Sequence, residues 1–146
     1  MGDGMDRLKG ATYPGRGIII GKTPDGSHMV QVYWIMGRSP SSRNRVFVQE
    51  GDAVTTDTVD KSQEVDPLTM YYPVKIRGSA HIVTNGDQTD TIVDALQNGG
   101  SFESALMTRT FEPDGPNFTP RISGVVDQGD SQAYRLAILK TSGGDE

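Results

Sequence analysis

Residues 82–100 read IVTNGDQTDTIVDALQNGG, and they join two apolar patterns through a wholly polar segment. Ile82 belongs to a predicted strand, whereas Ile92 and Leu96 share one face of a predicted helix. Gly99 or Gly100 is placed to end that helix. A strand that runs into a helix start presents free backbone N–H groups and the positive end of the helix dipole. The segment therefore predicts an anion site.

The polar segment contains more capping side chains than one helix start needs. Asp87, Thr89 and Asp90 are the alternatives for the N-cap, and Asn85 precedes them in a turn. Asp and Thr are favoured at N-caps whatever the function of the protein. Two interpretations therefore stay open at this point, a cap alone or a cap combined with ligand contacts.

Strand patterns flank this segment on both sides. Residues 17–37 predict a β-hairpin in which Val30, Val32, Trp34 and Met36 face the core. Residues 46–49 form a short strand, whereas residues 51–69 show no periodicity and predict a surface excursion.

A second hairpin is expected over residues 70–84, with its turn at Gly78 and Ser79. A second helix follows, with Ser101 as its N-cap and a buried stripe of Phe102, Ala105 and Leu106. A third hairpin, over residues 122–140, turns near Asp127 to Asp130. Strands, two helices and strands in this order predict an α+β fold in a single domain, residues 1–146, whose ends at 1–12 and 141–146 are flexible.

Composition limits the function. The chain carries a net charge of -5 and no cysteine, which argues against a general nucleic-acid surface and excludes disulfides and thiolate chemistry. The histidines are isolated from one another, so no metal site and no cofactor is expected. No apolar stretch approaches the length that crosses a membrane, and the N-terminus has no signal-peptide pattern. A cytoplasmic enzyme fits this composition.

Two further segments carry candidate chemistry. Residues 37–45, GRSPSSRNR, bring Arg38, Arg43 and Arg45 together among serines. Arginine forks match phosphate and carboxylate groups, and a solvated basic loop is the alternative. Residues 108–121, TRTFEPDGPNFTPR, carry Glu112, which is either a tuned general base or a partner in a salt bridge.

Four stretches together resemble one family, the archaeal-type inosine monophosphate (IMP) cyclohydrolases with their bacterial members. They are YPGRGIIIG, IMGRSPSSRNRVF, YYPVKIRGSAHIVTNGDQTDTI and TRTFEPDGPNFTPRISG, and the resemblance runs from Tyr13 to Lys140. It implies a four-layer α-β-β-α sandwich similar to the N-terminal-nucleophile hydrolases. It also implies the last step of purine synthesis, in which 5-formamidoimidazole-4-carboxamide ribonucleotide closes its ring and loses water.

The resemblance also implies roles for residues in the matching motifs. Arg45 corresponds to the active-site arginine of the family. Tyr71 is the proton donor or oxyanion partner, and Glu112 handles the amide proton or orients the carboxamide. The other matching positions are expected to bind the purine ribonucleotide or to support the site: Arg16, Arg38, Asn85, Asp87, Thr89, Asp90 and Arg121.

The chain departs from the family pattern at its C-terminal end, because family members continue well beyond the LAILK strand. An incomplete sandwich would leave one sheet face uncovered, and a homo-oligomer would cover it. A nucleotide-binding module or inactive fragment without turnover is therefore the alternative to the cyclohydrolase. An amidohydrolase on the same fold is a third hypothesis, which the lack of an N-terminal nucleophile disfavours.

Overall fold

The computed structural model describes residues 2–129 and 134–142, which form four α-helices and eight β-strands. The helices are α1 (Gly2–Gly10), α2 (Pro40–Arg43), α3 (Gln88–Gln97) and α4 (Phe102–Leu106). The strands are β1 (Arg16–Lys22), β2 (Met29–Ile35), β3 (Val46–Glu50), β4 (Ala53–Asp57), β5 (Val74–Arg77), β6 (Ala80–Thr84), β7 (Arg121–Asp127) and β8 (Tyr134–Leu139).

The strands form two antiparallel sheets. Strands β1 and β2 pair with each other, and the other six form a sheet in sequence order from β3 to β8. Helices α3 and α4 occur together, between β6 and β7. The mixed architecture with antiparallel sheets confirms the α+β prediction.

The two faces of the six-stranded sheet have different partners. One face carries Ile82 and Val125, which pack with Ile92 and Phe102 of the helices in the hydrophobic core. The opposite face carries Gly124, where a Cβ would lie 3.0 Å from the Ile20 side chain of β1. The helices and the β1–β2 hairpin therefore cover opposite faces, which gives three layers in the part of the chain that the structure describes.

The helices follow the predicted pattern closely. Ser101 is the N-cap of α4 and forms a capping box with Ser104, and the predicted stripe of Phe102, Ala105 and Leu106 is buried. Beyond the end of α3, Gly99 has a φ of +78°. Burial of these apolar side chains against β6 supplies the stability that such short helices lack on their own.

The predicted inward face of β2 was wrong. Val30 and Val32 are 38% and 44% exposed, whereas Gln31 and Tyr33 lie on the side of the hairpin that meets the large sheet. Gln31 is accommodated there because its Nε2 donates to the His81 carbonyl at 2.9 Å. An apolar alternation does not by itself show which face a two-stranded sheet buries.

The predicted surface excursion at 51–69 was also wrong, because it contains strand β4. The strand was missed because its buried residue is polar. Thr56 is 1% exposed, and its Oγ1 donates to the Thr69 carbonyl and accepts from the Tyr71 N–H at 3.0 Å. Hydrogen bonds to the backbone of residues 69–71 thus replace apolar packing at this position.

The chain ends differ in how far the structure describes them. Helix α1 occupies part of the segment 1–12, where the sequence predicted no regular structure. The predicted third hairpin is present as β7 and β8, although Asp130 in its turn and residues 143–146 lie outside the described residues. No helix among the described residues is long and apolar enough to span a bilayer.

Candidate functional site

A cavity of about 460 Å³ opens at the end of the two sheets where β1 and β7 begin and β2 and β6 end. Polar side chains dominate its lining. Its residues are Tyr13, Gly15, Arg16, Gly37, Arg38, Ser39, Ser42, Asp66, Leu68, Thr69, Asn85, Glu112, Asp114, Asn117, Thr119, Pro120, Ile122 and Ile138. Its volume falls within the range of small-molecule sites, about 300–1,000 Å³.

An ion pair between Arg16 and Glu112 lies in the cavity wall. The Arg16 Nη1 atom donates to Glu112 Oε1 at 2.9 Å, and the two side chains are 21% and 6% exposed. Burial lowers the pKa of Arg16, but the charge of and hydrogen bond with Glu112, together with Tyr71 and Tyr33, raise it above its ordinary value. The guanidinium group therefore stays charged and fixes the carboxyl group in the wall.

Glu112 is held by a loop that closes on itself. Its backbone N–H donates to the Thr119 carbonyl at 2.9 Å, and the Asp114 carboxylate accepts from the backbone N–H of Thr119 at 2.6 Å and from its hydroxyl. The rings of Phe111 and Phe118 pack edge to face at 5.3 Å beside this closure. These contacts keep Asp114 engaged in the loop and leave Glu112 as the carboxyl group directed at Arg16.

Burial raises the pKa of Glu112, and attraction to Arg16 only partly opposes it. We therefore expect this residue to lower the stability of the chain as the pH rises above 4.5, the ordinary value for this group. Between the ordinary and the raised pKa the folded chain binds more protons than the unfolded chain, so a rise in pH favours unfolding. Urea unfolding at several pH values, compared between the wild type and Glu112→Gln, measures this contribution.

The exposed Glu103 of α4 provides the control for that comparison, since its side chain is 60% exposed. Glu103→Gln should leave the pH dependence of the unfolding free energy close to that of the wild type. Equal pH profiles for the wild type and Glu112→Gln would contradict the raised pKa.

Arg121, at the start of β7, connects Glu112 to the start of α3. Its side chain is buried, and Nη1 donates to Asp87 Oδ1 at 2.6 Å and to Gln88 Oε1 at 2.8 Å. The same Asp87 oxygen accepts from Arg109 at 2.6 Å. Asp87 occupies the N-cap position, directly before α3, but its side chain makes no capping hydrogen bond, because the two arginines engage it.

Gly86 allows this cluster to form. A Cβ at this position would lie 2.8 Å from Arg121 Nη1 and 3.4 Å from Glu112 Oε1. The same Cβ would lie 2.6 Å from Gln88 Oε1, so a side chain at this position would displace Gln88 and Arg121. The glycine of the strand-to-helix turn is required here for close approach.

Asn85 and Thr89 are buried and use their polar atoms within the protein. The Asn85 amide donates to the Pro120 carbonyl at 2.9 Å, and its oxygen accepts from the Ile122 N–H at 2.9 Å and from Gln88 at 3.0 Å. The Thr89 hydroxyl lies 2.7 Å from that of Thr84. Asn85 lines the cavity, whereas Thr89 is absent from its lining.

Two other predicted binding residues differ in whether they line the cavity. Arg38 lines the cavity with its guanidinium group 5.8 Å from the centre of the Tyr13 ring. Asp90 lies outside the lining and pairs with Lys75 at 2.5 Å.

Tyr71 and Arg45 are close to the cavity but are absent from its lining. The Tyr71 hydroxyl is 2.7 Å from that of Tyr33, and burial raises the pKa of Tyr71 while the positive charges of Arg45 and Arg16 oppose this. Arg45 Nε donates to the Ser42 carbonyl at 2.7 Å. Among the described residues its buried Nη1 and Nη2 atoms have no hydrogen-bond partner.

The predicted residues therefore divide into three groups. The first group lines the cavity: Arg16, Arg38, Asn85 and Glu112. The second group is absent from the lining and acts on lining residues or their neighbours through hydrogen bonds or charge: Arg45, Tyr71, Asp87 and Arg121. The third group contacts other parts of the protein: Thr89 and Asp90. Sequence reasoning assigned no role in the site to Tyr13, Tyr33, Gln88 or the Asp66–Thr69 segment. Tyr33 was missed because the wrong face of β2 was assigned to the core. Side chains two residues apart share a face of a strand, so an inward Gln31 would also have placed Tyr33 inside.

The fold and the cavity define a class of protein, an α+β chain with a cavity of small-molecule size lined by charged and polar side chains. Arginines supply the positive charge, and one buried carboxyl group lies among them. Asp66 and Asp114 also line the cavity, but their carboxylates accept hydrogen bonds from their own loops.

Comparison with known proteins identifies the family. The family model described as "IMP cyclohydrolase-like protein" matches residues 13–143, nearly the whole chain. The chain belongs to this family.

Individual relatives agree with this result. The IMP cyclohydrolase of Methanopyrus kandleri is 37% identical over 119 residues, which cover 79% of this chain and 59% of the relative. The IMP cyclohydrolases of Methanococcus maripaludis and Methanococcus aeolicus are each 32% identical, over 82% and 80% of this chain. The chain thus spans 58–60% of the length of these relatives.

Proposed function

We propose that this chain catalyses the ring closure of 5-formamidoimidazole-4-carboxamide ribonucleotide to IMP, with loss of water. The relatives at 30–37% identity are IMP cyclohydrolases, and the observation that carries the proposal is the buried Glu112 carboxyl beside Arg16 in the cavity wall. A raised pKa brings this group closer to the range in which a general base works near neutral pH.

The reaction needs proton transfers and charge stabilisation. The carboxamide nitrogen of the substrate attacks the formyl carbon of the same molecule, so a C–N bond forms and the formyl oxygen gains negative charge. Glu112 takes the proton that the nitrogen loses, and Tyr71 donates a proton to the developing oxyanion. This attack closes the ring. The resulting hydroxyl group then leaves as water together with a hydrogen from a ring nitrogen, and a C=N bond forms as the C–O bond breaks.

The arginines have separate tasks in this proposal. Arg45 has two buried nitrogen atoms that lack partners among the described residues, so it is suited to stabilise the oxyanion near Tyr71. Arg38 binds the phosphate group of the substrate, and Ser39 and Ser42 lie nearby in the lining. Arg121 and Asp87 hold the Glu112 side of the site, and Asn85 shapes it.

The same proposal extends to the architecture and to the assembly. The three described layers correspond to part of an α-β-β-α sandwich similar to the N-terminal-nucleophile hydrolases. Leu136 and Ile138 lie on the hairpin face of β8, and their side chains are 54% and 55% exposed. These exposed apolar residues support a further layer or a second copy of the chain there.

An assay of the 146-residue chain tests the function. Substrate labelled with ¹³C in the formyl group is incubated with the chain, and the labelled carbon is followed by NMR as it enters the purine ring. We expect IMP to form, and we expect Tyr71→Phe and Arg45→Met to slow its formation by at least about tenfold. Tyr72→Phe is the matched control, since Tyr72 hydrogen-bonds Glu50 away from the site.

The assay also separates the alternatives. Binding of IMP without any turnover would favour a nucleotide-binding module. The match covers 59% of the Methanopyrus kandleri relative, so this alternative is tested as well. Hydrolysis of linear amides that is insensitive to Arg45→Met and Tyr71→Phe would favour an amidohydrolase.

A further inference from the structure

The side chain of Tyr33 reaches the candidate site from the opposite sheet. It projects from β2 toward the six-stranded sheet, and its ring centre lies 5.7 Å from that of Phe47. Its hydroxyl oxygen is 2.7 Å from the hydroxyl oxygen of Tyr71. The proposed reaction assigns no task to Tyr33, although it makes this direct contact with the proposed proton donor.

Two phenol groups at this distance share one hydrogen bond, and each phenol has a single hydrogen to donate. If Tyr71 donated to Tyr33, its hydrogen would point away from any ligand. If Tyr33 donates, Tyr71 accepts, and its own hydrogen is free to be directed into the site. The direction of this one hydrogen bond therefore decides whether Tyr71 can act as a proton donor.

We propose that Tyr33 is a positioning residue, which donates its hydroxyl hydrogen to Tyr71 and thereby directs the Tyr71 hydrogen toward the substrate. This inference rests on the proposed function, because that function makes Tyr71 the proton donor. The hydrogen bond itself is a property of the folded chain and can be tested without substrate.

The proposed reaction requires this direction. Tyr71 is the proton donor of that reaction, so its single hydrogen has to stay available for the substrate, and Tyr33 has to supply the hydrogen of the shared bond. The Tyr33 hydroxyl meets that of Tyr71 at 2.7 Å, and the Tyr33 ring packs on Phe47.

A titration with fluorinated tyrosine tests the hydrogen bond. The chain contains five tyrosines, so labelling with 3-fluorotyrosine gives a small set of ¹⁹F resonances, and Tyr71→Phe identifies that of Tyr71. Fluorine also lowers the pKa of every phenol, which brings the titration into an accessible range. In Tyr33→Phe we expect Tyr71 to titrate at higher pH, because its hydrogen-bond donor is gone.

Tyr72→Phe is the control, since it removes the neighbouring hydroxyl, which contacts Glu50. It should leave the titration of Tyr71 unchanged. Tyr33→Phe keeps the ring that packs on Phe47, so the fold is preserved, and circular dichroism checks this. An unchanged Tyr71 titration in folded Tyr33→Phe would overturn the proposal.

Kinetics then separates positioning from a purely structural contact. We expect Tyr33→Phe to lower kcat for ring closure by about tenfold and to leave KM within about twofold. Equal loss in kcat from Tyr72→Phe, or a change in KM alone, would contradict a positioning role. If the wild-type chain forms no IMP, the proposed function fails, and the fluorine titration alone decides on the hydrogen bond.

Discussion

Replacing Glu112 with glutamine is expected to lower kcat for ring closure by about 10²–10⁴-fold, the usual contribution of a general acid or base. Glutamine keeps the shape of the side chain and can still accept a hydrogen bond from Arg16, whose Nη1 lies 2.9 Å from Glu112 Oε1. The loss therefore reports on proton transfer. Single-turnover measurements with the labelled substrate separate this chemical step from product release.

Glu103→Gln makes the same chemical change on an exposed part of α4, and it should retain the wild-type rate. Equal rates for the wild type and Glu112→Gln would remove Glu112 from the mechanism. A loss confined to KM would instead make Glu112 a substrate-binding residue that orients the carboxamide.

Replacing Asn85 with alanine is expected to lower the free energy of unfolding by about 2–4 kcal/mol. The Asn85 side chain is 1% exposed, and its three hydrogen bonds tie the end of β6 to the start of β7 and to Gln88. Alanine removes the partner of the Pro120 carbonyl and of the Ile122 N–H, and a buried polar group left unpaired costs more than the loss of the bond itself. Urea denaturation at neutral pH measures the change.

Asn98→Ala serves as the control for that measurement. Asn98 follows α3 and makes one exposed side-chain hydrogen bond, to the Asp94 carbonyl. Its replacement should change the free energy of unfolding by about 1 kcal/mol or less. A comparable loss in both variants would show that Asn85 acts as an ordinary turn residue.

The residues around α3 show how much of the fold a sequence can predict. Burial of Ile92, the end of the helix before Gly99 and the capping of α4 by Ser101 all depend on residues close in the chain. Local periodicity and local hydrogen-bonding preferences are enough to define such elements. The β5–β6 and β7–β8 hairpins follow for the same reason, because their strands are close in the chain.

The contacts of Asp87 show where prediction from sequence stopped. The sequence predicted its place near the helix start, but it gave no sign that one carboxylate oxygen accepts from both Arg109 and Arg121. These partners lie 22 and 34 positions away in the chain. Only the fold brings them together, so no local pattern distinguishes this ion pair from an ordinary cap.

The faces of β2 show a second limit. Bulky residues occur on both faces of this strand, and Gln31 enters the interior because a backbone carbonyl accepts its hydrogen bond. Polarity therefore gave the wrong orientation, and Tyr33 was assigned to the outside. Burial of a polar residue depends on whether a partner is present, which only the structure shows.

The closed loop around Glu112 has a consequence for the way in which the chain would recognise a ligand. Because Thr119 and Asp114 tie the loop to itself through hydrogen bonds within the chain, the conformational entropy of ordering this segment is lost during folding. A ligand that enters meets a carboxyl group already fixed in place. Association should therefore be limited by diffusion and desolvation, without a slow loop rearrangement.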